Sequence, residues 1–230
     1  VAATLHALLK DYEDPTFFLM FFHILSLCEY GLRGEDMQPL FDLAGKKWTE
    51  LEYMEFLEQF AFFIRIRENG NLDLSHDVIR QTLRELLQHN ERAVCALLTD
   101  YLFSIEYQDT LLVRTFFHVA FLGQEFDAVA AYAQKMRENL TSLEDSSLGL
   151  EMRNSVRRLF FRDGGAFMVN VAARCKTAEA LVAFYGLLST SMLTIDDYIQ
   201  EEQALQIVCV ITDIAFRMFL KTSRELLKLA

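Results

Sequence analysis

The stretch FFIRIRENGNLDLSHDVIRQTLRELL, residues 62–87, decides how this chain is expected to fold. Ile64 and Ile66 alternate with arginines, which is the period-two pattern of a half-buried strand. The Asn-Gly-Asn at 69–71 supplies residues that tolerate positive φ in a tight turn. Leucines and an aspartate then alternate over 72–74. The pattern predicts a β-hairpin.

An amphipathic helix is predicted directly after this hairpin. Apolar residues recur at helical spacing at Ile79, Leu83 and Leu86. Ser75 offers a hydroxyl to cap the helix N-terminus, and His76 and Asp77 stand between that cap and the apolar stripe. The sequence therefore places a His-Asp pair at the start of a helix, at the exit of a hairpin.

Three more helices are predicted ahead of the hairpin. The first begins at Pro15, a residue favoured at the first helical position, and ends before Gly31. The second opens at 34–36, and the third runs from Trp48 to Phe60. Three helices, a two-stranded wing and a closing helix predict a winged-helix domain over residues 15–89, in a fold that is otherwise all helical.

Winged helices often bind DNA, but the composition speaks against that here. The chain carries a net charge of −11, and the helix in the recognition position, 48–60, contains four glutamates and no lysine or arginine. Such a surface repels phosphates. We therefore expect this domain to contact protein and not nucleic acid, and a transcription regulator is the weakest of the functional alternatives.

Three ordered segments, GLRGEDMQPLF, KKWTELEYMEFL and FIRIRENGNLDLSHDVIRQTL, together resemble one known family. They are similar to the winged-helix domain that follows the nucleotide-binding domain in signal-transducing NTPases of the STAND class, which includes the NACHT and NB-ARC ATPases. The Leu-Ser-His-Asp at 74–77 is similar to the Met-His-Asp motif of the NB-ARC branch, with Ser75 in the methionine position. The resemblance covers about residues 15–87.

This resemblance implies a nucleotide-sensing role for His76. In the family, the motif histidine reaches the β-phosphate of ADP on the neighbouring domain and locks the resting state. Asp77 would brace the local backbone or cap the helix. ADP or ATP would be bound by an upstream domain of the parent protein and not by this chain, and the parent would oligomerise on activation. Without the resemblance, His76 is an ordinary helix-start residue beside a capping Ser75.

The rest of the chain, residues 90–230, is predicted to be a helical array. Residues 123–133 resemble the junction of a tetratricopeptide-type repeat, without a full consensus. They consist of a small residue, a short polar turn, an aromatic residue and then several alanines. Such arrays present a concave surface to a ligand or protein partner. Residues 1–14 would be the end of a preceding helical lid, and the chain would be a fragment of a larger protein.

Several classes of site are not expected from the residues. The four cysteines (Cys28, Cys95, Cys175 and Cys209) are far apart in the sequence, so a zinc site is not predicted. We expect them to be buried thiols in a reducing, cytoplasmic compartment. The apolar runs at 16–28 and 208–220 are interpreted as buried core helices and not as membrane spans. No P-loop or hydrolase motif is present, so this chain by itself is not expected to be an enzyme.

Two functional alternatives remain open beside the transcription regulator. The first is the regulatory and sensor portion of a STAND-type signalling ATPase, with no cofactor of its own and with its upstream nucleotide-binding domain as a partner. The second is a helical scaffold for protein–protein interaction, without nucleotide coupling, in which the hairpin is only a structural insertion.

Overall fold

The computed structural model describes residues 2–10, 15–105, 110–137, 146–193 and 201–229. The described chain is mainly helical with one two-stranded antiparallel sheet, which confirms the predicted fold class at that level. The strands are β1 (Ile64–Ile66) and β2 (Leu72–Leu74). The helices are α1 (Ala2–Leu9), α2 (Thr16–Leu27), α3 (Met37–Leu43), α4 (Glu50–Gln59), α5 (Asp77–Leu87), α6 (Glu91–Ser104), α7 (Thr110–Gly123), α8 (Phe126–Met136), α9 (Ser147–Asp163), α10 (Ala166–Arg174), α11 (Ala178–Leu193) and α12 (Glu201–Leu229).

Helix α2 is the centre of the first of two compact units, Val1–Ile105. Phe21, Phe22 and Ile24 are fully buried, as expected for the apolar run at 16–28. An aromatic cluster joins α2 to α3 and α4: the rings of Phe21 and Phe56 stack at 4.3 Å, and Trp48 lies 5.8 Å from Phe21. Helices α5 and α6 pack on the other sides of α2. Burial of these large rings is the main apolar contribution to this unit.

The hairpin lies beside the end of α2. Ile64 pairs with Leu74 and Ile66 with Leu72, and Leu32 bridges Leu72 from its other side. Gly31, which precedes Leu32, has φ +76°, and a Cβ there would approach the carbonyl oxygen of Leu72 to 2.6 Å. Only glycine allows this approach. The turn after α2 therefore brings a third extended segment against the hairpin.

Helix α6 belongs to the first unit, although the predicted domain boundary lies before it, between residues 89 and 90. It packs against α2 and α3. The hydroxyl of Tyr101 on α6 donates to the buried Asp36 carboxylate at 2.7 Å, and Arg33 donates to the same carboxylate. The compact unit thus continues to Ile105, one helix further than the winged-helix pattern requires.

The second unit, Glu106–Ala230, consists of helices in the part that the structure describes. Helices α7, α9 and α11 pack in succession, as do α8, α10 and α12, and α8 also packs on α11. A buried carboxylate joins two of them: Glu151 on α9 accepts hydrogen bonds from Arg114 on α7 and from Arg158 about two turns along its own helix. The interior between these helices is apolar.

Helix α12 contradicts the interpretation of the run at 208–220 as a buried core helix. Ile214 is fully buried, but Val208 is 61 % exposed and Phe219 is 65 % exposed. Among the described residues, 203–225 is the one segment long and apolar enough to cross a membrane, by length and composition alone. The prediction failed because an apolar sequence over a whole helix does not say how many sides its neighbours cover.

Candidate functional site

The hairpin carries a buried carboxylate that three arginines surround. Asp73 on β2 is fully buried and accepts hydrogen bonds from Arg65 at 2.7 Å, from Arg67 at 2.9 Å and from Arg80 on α5. Arg65 and Arg67 both reach Asp73 because they are alternate residues of the paired strand. A fully buried charge needs such partners, since water cannot solvate it.

Arg80 extends this cluster, which we call the Asp73 cluster, to the end of α2. Its guanidinium donates to the carbonyl oxygens of Leu25 at 2.6 Å and of Cys28 at 2.9 Å. These carbonyls lie at the C-terminus of α2, where helix carbonyls lack partners within the helix and attract a positive charge. One side chain from α5 therefore joins the hairpin to the central helix of the unit.

The arginines also set the ionisation of Asp73. Burial by itself raises the pKa of the Asp73 carboxyl, but the hydrogen bonds from Arg65 and Arg67 and the charge of Arg80 outweigh it and hold the pKa below its usual range. The carboxylate is therefore charged at neutral pH. The cluster carries three positive charges around one negative charge, and Arg65, with half of its side chain exposed, presents part of that excess to solvent.

His76 occupies the N-cap position of α5, one residue later than the predicted cap. Its backbone is extended, its carbonyl oxygen accepts from the amide of Ile79 at 3.0 Å, and its side chain makes no capping hydrogen bond. The predicted capping role of Ser75 is therefore wrong. The Ser75 hydroxyl donates instead to the carbonyl oxygen of Phe62 at 3.0 Å, because Ser75 still pairs with the turn that leads into β1.

His76 and Asp77 are both exposed and lie beside exposed apolar side chains. Val78 follows them in the first turn of α5 and is 68 % exposed, and Phe62, held to Ser75 by its carbonyl, is 79 % exposed. We call Phe62, His76, Asp77 and Val78 the wing patch. Exposed apolar residues grouped at the exit of a hairpin are typical of a surface that a partner covers.

The acidic helix in the recognition position is α4. Thr49 is its N-cap and accepts from the amide of Glu52 at 3.3 Å, and the Thr49 hydroxyl donates to the Glu52 carboxylate, so the helix begins two residues after Trp48. Glu50 and Glu58 are exposed. A cleft of about 560 Å³ lies at this end of α4, and Lys46 and Lys47 are among its lining residues.

The sequence did not reveal the Asp73 cluster as one feature. Three arginines of the hairpin and α5 (Arg65, Arg67 and Arg80) share Asp73, while Arg84 pairs with Glu91 at 2.9 Å. The strand register was the missing information. An Arg-x-Arg strand opposite Leu-Asp-Leu across a tight turn is the signal that could have found it, because it places one carboxylate between two arginines.

The cysteines offer little reactive chemistry. Cys28, Cys95 and Cys175 are buried, as predicted, whereas Cys209 on α12 is exposed, contrary to the expectation for all four. Burial raises the pKa of the Cys28 thiol, and it raises that of Cys175 to about 11. Within the described residues, no group of three or more His, Cys, Asp or Glu side chains is arranged to hold a metal ion.

Comparison with known proteins found no relative of this chain. No family model, no curated protein and no solved structure matches the chain. The site is therefore interpreted from its own residues and from the resemblance of its motifs.

Proposed function

We propose that this chain is the regulatory and sensor portion of a STAND-type signalling ATPase. In this proposal residues 15–89 form a winged-helix domain that contacts ADP or ATP on an upstream nucleotide-binding domain. The helical unit after it binds a ligand or protein partner. The observation that carries the proposal is the wing patch, in which the exposed His76 stands at a helix N-terminus that no side chain caps, followed two residues later by the exposed Val78 and preceded by Ser75, which donates to the backbone of the exposed Phe62.

The geometry at His76 suits a phosphate oxygen. An imidazole N–H can donate to such an oxygen. The first turn of α5 adds backbone amides and the positive end of an eleven-residue helix. Phe62 and Val78 would pack against the neighbouring domain that holds the nucleotide. Contacts of this kind exist in only one domain arrangement, so they favour that arrangement.

The Asp73 cluster gives the wing patch a rigid base. It ties both strands and α5 to the end of α2, so His76 is held in a fixed position relative to the core of its unit. The arrangement of three helices, a Leu32 segment bridging the hairpin, and a closing helix agrees with the winged-helix interpretation. Movement of the whole domain, rather than of the hairpin alone, would then make or break the nucleotide contact.

The second unit supplies the sensor in this proposal. Helices α7, α9 and α11 pack in succession, and so do α8, α10 and α12, which supports the proposal of a helical array, and such arrays bind partners along an extended face. The tetratricopeptide-like character of the junction at 123–133 supports the same interpretation, since α7 ends at Gly123 and α8 begins at Phe126.

The test is His76→Ala in the parent protein, with His89→Ala as the matched control. Both histidines are exposed in the first unit, but His89 lies in the 3₁₀ turn after α5, away from the wing patch. We expect His76→Ala to speed ADP release by about tenfold or more, because a hydrogen bond to a charged group contributes about 1.5–3 kcal/mol. Unchanged ADP release and basal activity in this variant would reject the role of His76.

The scaffold alternative has one specific observation in its favour. The exposed apolar side of α12 indicates a binding surface that needs no nucleotide. The reading frame upstream of Val1 distinguishes the two: Walker A and B motifs there support the ATPase, and their absence supports the scaffold. A DNA mobility assay at low salt tests the transcription regulator, for which we expect no shift because α4 is acidic.

A further inference from the structure

The tip of the hairpin carries the single Asn-Gly pair of the sequence, Asn69 and Gly70. Both residues are exposed, and Gly70 has φ +83°. An added Cβ at Gly70 would meet nothing within 4 Å, so the peptide between the two residues is open to solvent. Because glycine has no side chain, nothing on Gly70 itself hinders an approach to its nitrogen.

The turn folds the Asn69 side chain over the Gly70 peptide. The Asn69 Oδ1 accepts a hydrogen bond from the backbone amide of Asn71 at 3.2 Å. This is an Asx turn, in which an asparagine side chain bonds the backbone two residues further along the chain. The ring that the hydrogen bond closes passes through the Gly70 peptide, so the Asn69 Cγ is brought toward the Gly70 nitrogen.

The other asparagines that the structure describes lack this combination. Asn71 is 1 % exposed, and a leucine follows it. Asn154 and Asn170 lie inside α9 and α10, where the helix fixes the backbone. Asn90 is exposed, but a glutamate follows it at the start of α6. Exposure, a turn and a following glycine therefore coincide at Asn69.

We propose that Asn69 is a site of spontaneous deamidation, with water as the co-reactant. The Gly70 nitrogen gives its proton to water and forms a bond to the Asn69 Cγ. The bond from Cγ to Nδ2 breaks, and Nδ2 takes up a proton and leaves as ammonia. Water then opens the resulting succinimide ring at Cγ, which gives aspartate, or at the main-chain carbonyl carbon, which gives isoaspartate. The sum is one water consumed and one ammonia released, with no oxidation or reduction.

One backbone hydrogen bond restrains the reacting peptide. The Gly70 amide donates to the carbonyl oxygen of Arg67 at 2.9 Å, which closes the turn. This bond has to open before the Gly70 nitrogen can react, and water can replace it because the tip is exposed. The folded chain should consequently react more slowly than an unfolded peptide of the same sequence.

The two products affect the hairpin differently. Aspartate at 69 keeps a side-chain oxygen that can accept from the Asn71 amide, so it adds only a negative charge. In isoaspartate the chain runs through Cγ, so this acceptor is lost and the backbone of the turn gains one carbon atom. The next pairing, in which the Arg67 amide donates to the Asn71 carbonyl oxygen at 2.8 Å, then loses its register. The reaction needs no nucleotide and no upstream domain, so it stands apart from the proposed signalling function.

Mass spectrometry of the full chain after incubation at neutral pH tests the proposal. Trypsin cuts after Arg67 and Arg80 and releases peptide 68–80, in which Asn69 and Asn71 are the only asparagines. We expect fragment ions to show the mass gain of –OH over –NH₂ at Asn69 alone, with both aspartate and isoaspartate formed. An unincubated sample, digested in parallel, measures the conversion during digestion. Equal conversion at Asn71, or an Asn69 that keeps its amide while synthetic peptide 68–80 loses it, overturns the proposal.

Asn69→Gln is the matched variant that separates ring closure from direct hydrolysis. It keeps an exposed side-chain amide at the same position, but its longer side chain would have to close a larger ring. We expect the amide of this variant to be retained over the incubation that converts Asn69. Conversion of the glutamine to the same extent would mean that water attacks any exposed amide at the tip, and it would reject the attack by the Gly70 nitrogen.

Hydrogen exchange of the Arg67 amide tests the effect of each product on the hairpin. We expect this amide to exchange in Asn69→Asp as it does in the unmodified chain. The isoaspartate fraction, separated from the incubated chain by ion exchange, should exchange faster, because the pairing with Asn71 is disturbed. Equal exchange in all three forms would reject the loosening of the hairpin by isoaspartate.

Discussion

The two units use buried charge differently. In the first unit, Asp73 is fully buried and joins a three-residue strand, the opposite strand, α5 and the end of α2 through three arginines. In the second unit, Glu151 joins α9 to α7, two long helices that already pack along much of their length. The first unit therefore depends on single polar residues to hold short elements, whereas the second depends on apolar stripes.

This difference follows from the lengths of the elements. Strands of three residues and the seven-residue α3 bury too little apolar surface to fix their own positions. Helices of eleven to seventeen residues, such as α7, α8 and α9, bury enough. Substitutions at individual polar or glycine residues should consequently have larger effects in the first unit than in the second.

The largest effect is expected from Asp73→Asn. The substitution leaves three arginines around a neutral amide, and loss of one partner of a buried charge cluster costs about 3–5 kcal/mol. Urea unfolding followed by the fluorescence of Trp48, the single tryptophan, measures the free energy of unfolding of the first unit. Glu151→Gln should leave the Trp48 unfolding curve unchanged. It should lower only the stability of the second unit, which circular dichroism reports.

Asp42→Asn is the matched control for Asp73→Asn. Asp42 is an exposed carboxylate on α3 in the same unit, and its substitution should change the free energy of unfolding by less than about 0.5 kcal/mol. A similar, small effect at both positions would mean that the Asp73 cluster does not hold the hairpin, and the contrast between the units would lose its basis.

The pH dependence of the first unit is expected to be the next largest effect. Burial lowers the pKa of His23 on α2 to about 4. The charge of Glu91 acts in the opposite direction and raises this pKa, whereas His89 lowers it further. An unfolded histidine binds a proton below about pH 6.5, so the folded state loses up to about 1.4 kcal/mol per pH unit between pH 6.5 and 4. The contribution of neutral His23 is fully present above that range.

His23→Leu separates this titration from others in the unit. The variant should flatten the decline of the free energy of unfolding between pH 6.5 and 4, while His89→Gln, at an exposed position, should keep most of it. The buried carboxylates act in a different range: because the pKa of Asp73 is lowered, its contribution is present above the unfolded value near 4 and is lost as the pH falls further. If the decline in the free energy of unfolding persists in His23→Leu, groups other than His23 cause it.

Two glycines with positive φ give a smaller and sharper comparison. Gly31 and Gly45 both adopt the left-handed conformation, at +76° and +64°, but only at Gly31 would a Cβ meet backbone, the Leu72 carbonyl oxygen at 2.6 Å. Alanine at either position carries the conformational cost of about 1 kcal/mol, and at Gly31 the clash should raise the total to about 2–3 kcal/mol. Trp48 fluorescence in urea measures both. Equal losses would mean that the turn after α2 can move away from the hairpin.

Local signals made much of the first unit predictable from its sequence. Alternation at Ile64 and Ile66, the turn at Gly70 and the helical spacing of Ile79 and Leu83 each depend on neighbours along the chain, and the structure has a hairpin and a helix at those residues. The cap was misplaced by one residue because Ser75 pairs with Phe62, thirteen positions away. Periodicity carries no information about such a pair.

The failures in the second unit have a related cause. The helices from α7 to α11 were predicted from their apolar spacing, but α12 and its Cys209 were expected to be buried. The apolar residues of α12 lie on all of its sides, so its sequence cannot say which side its neighbours cover. The candidate site has the same limit: the sequence placed His76 at the start of a helix, and only the fold joined its neighbour Ser75 to the exposed Phe62.

The smallest effect, and the only one of opposite sign, is expected from Gly186→Ala in α11. This glycine lies inside a sixteen-residue helix with ordinary helical backbone, and an added Cβ would meet nothing within 4 Å. Alanine should therefore stabilise the second unit by up to about 1 kcal/mol, because it restricts the unfolded chain and favours the helix. Circular dichroism during urea unfolding should shift to higher urea while the Trp48 signal stays in place. A loss of stability would show that α11 needs a close approach at this position, and that single glycines constrain the second unit as they do the first.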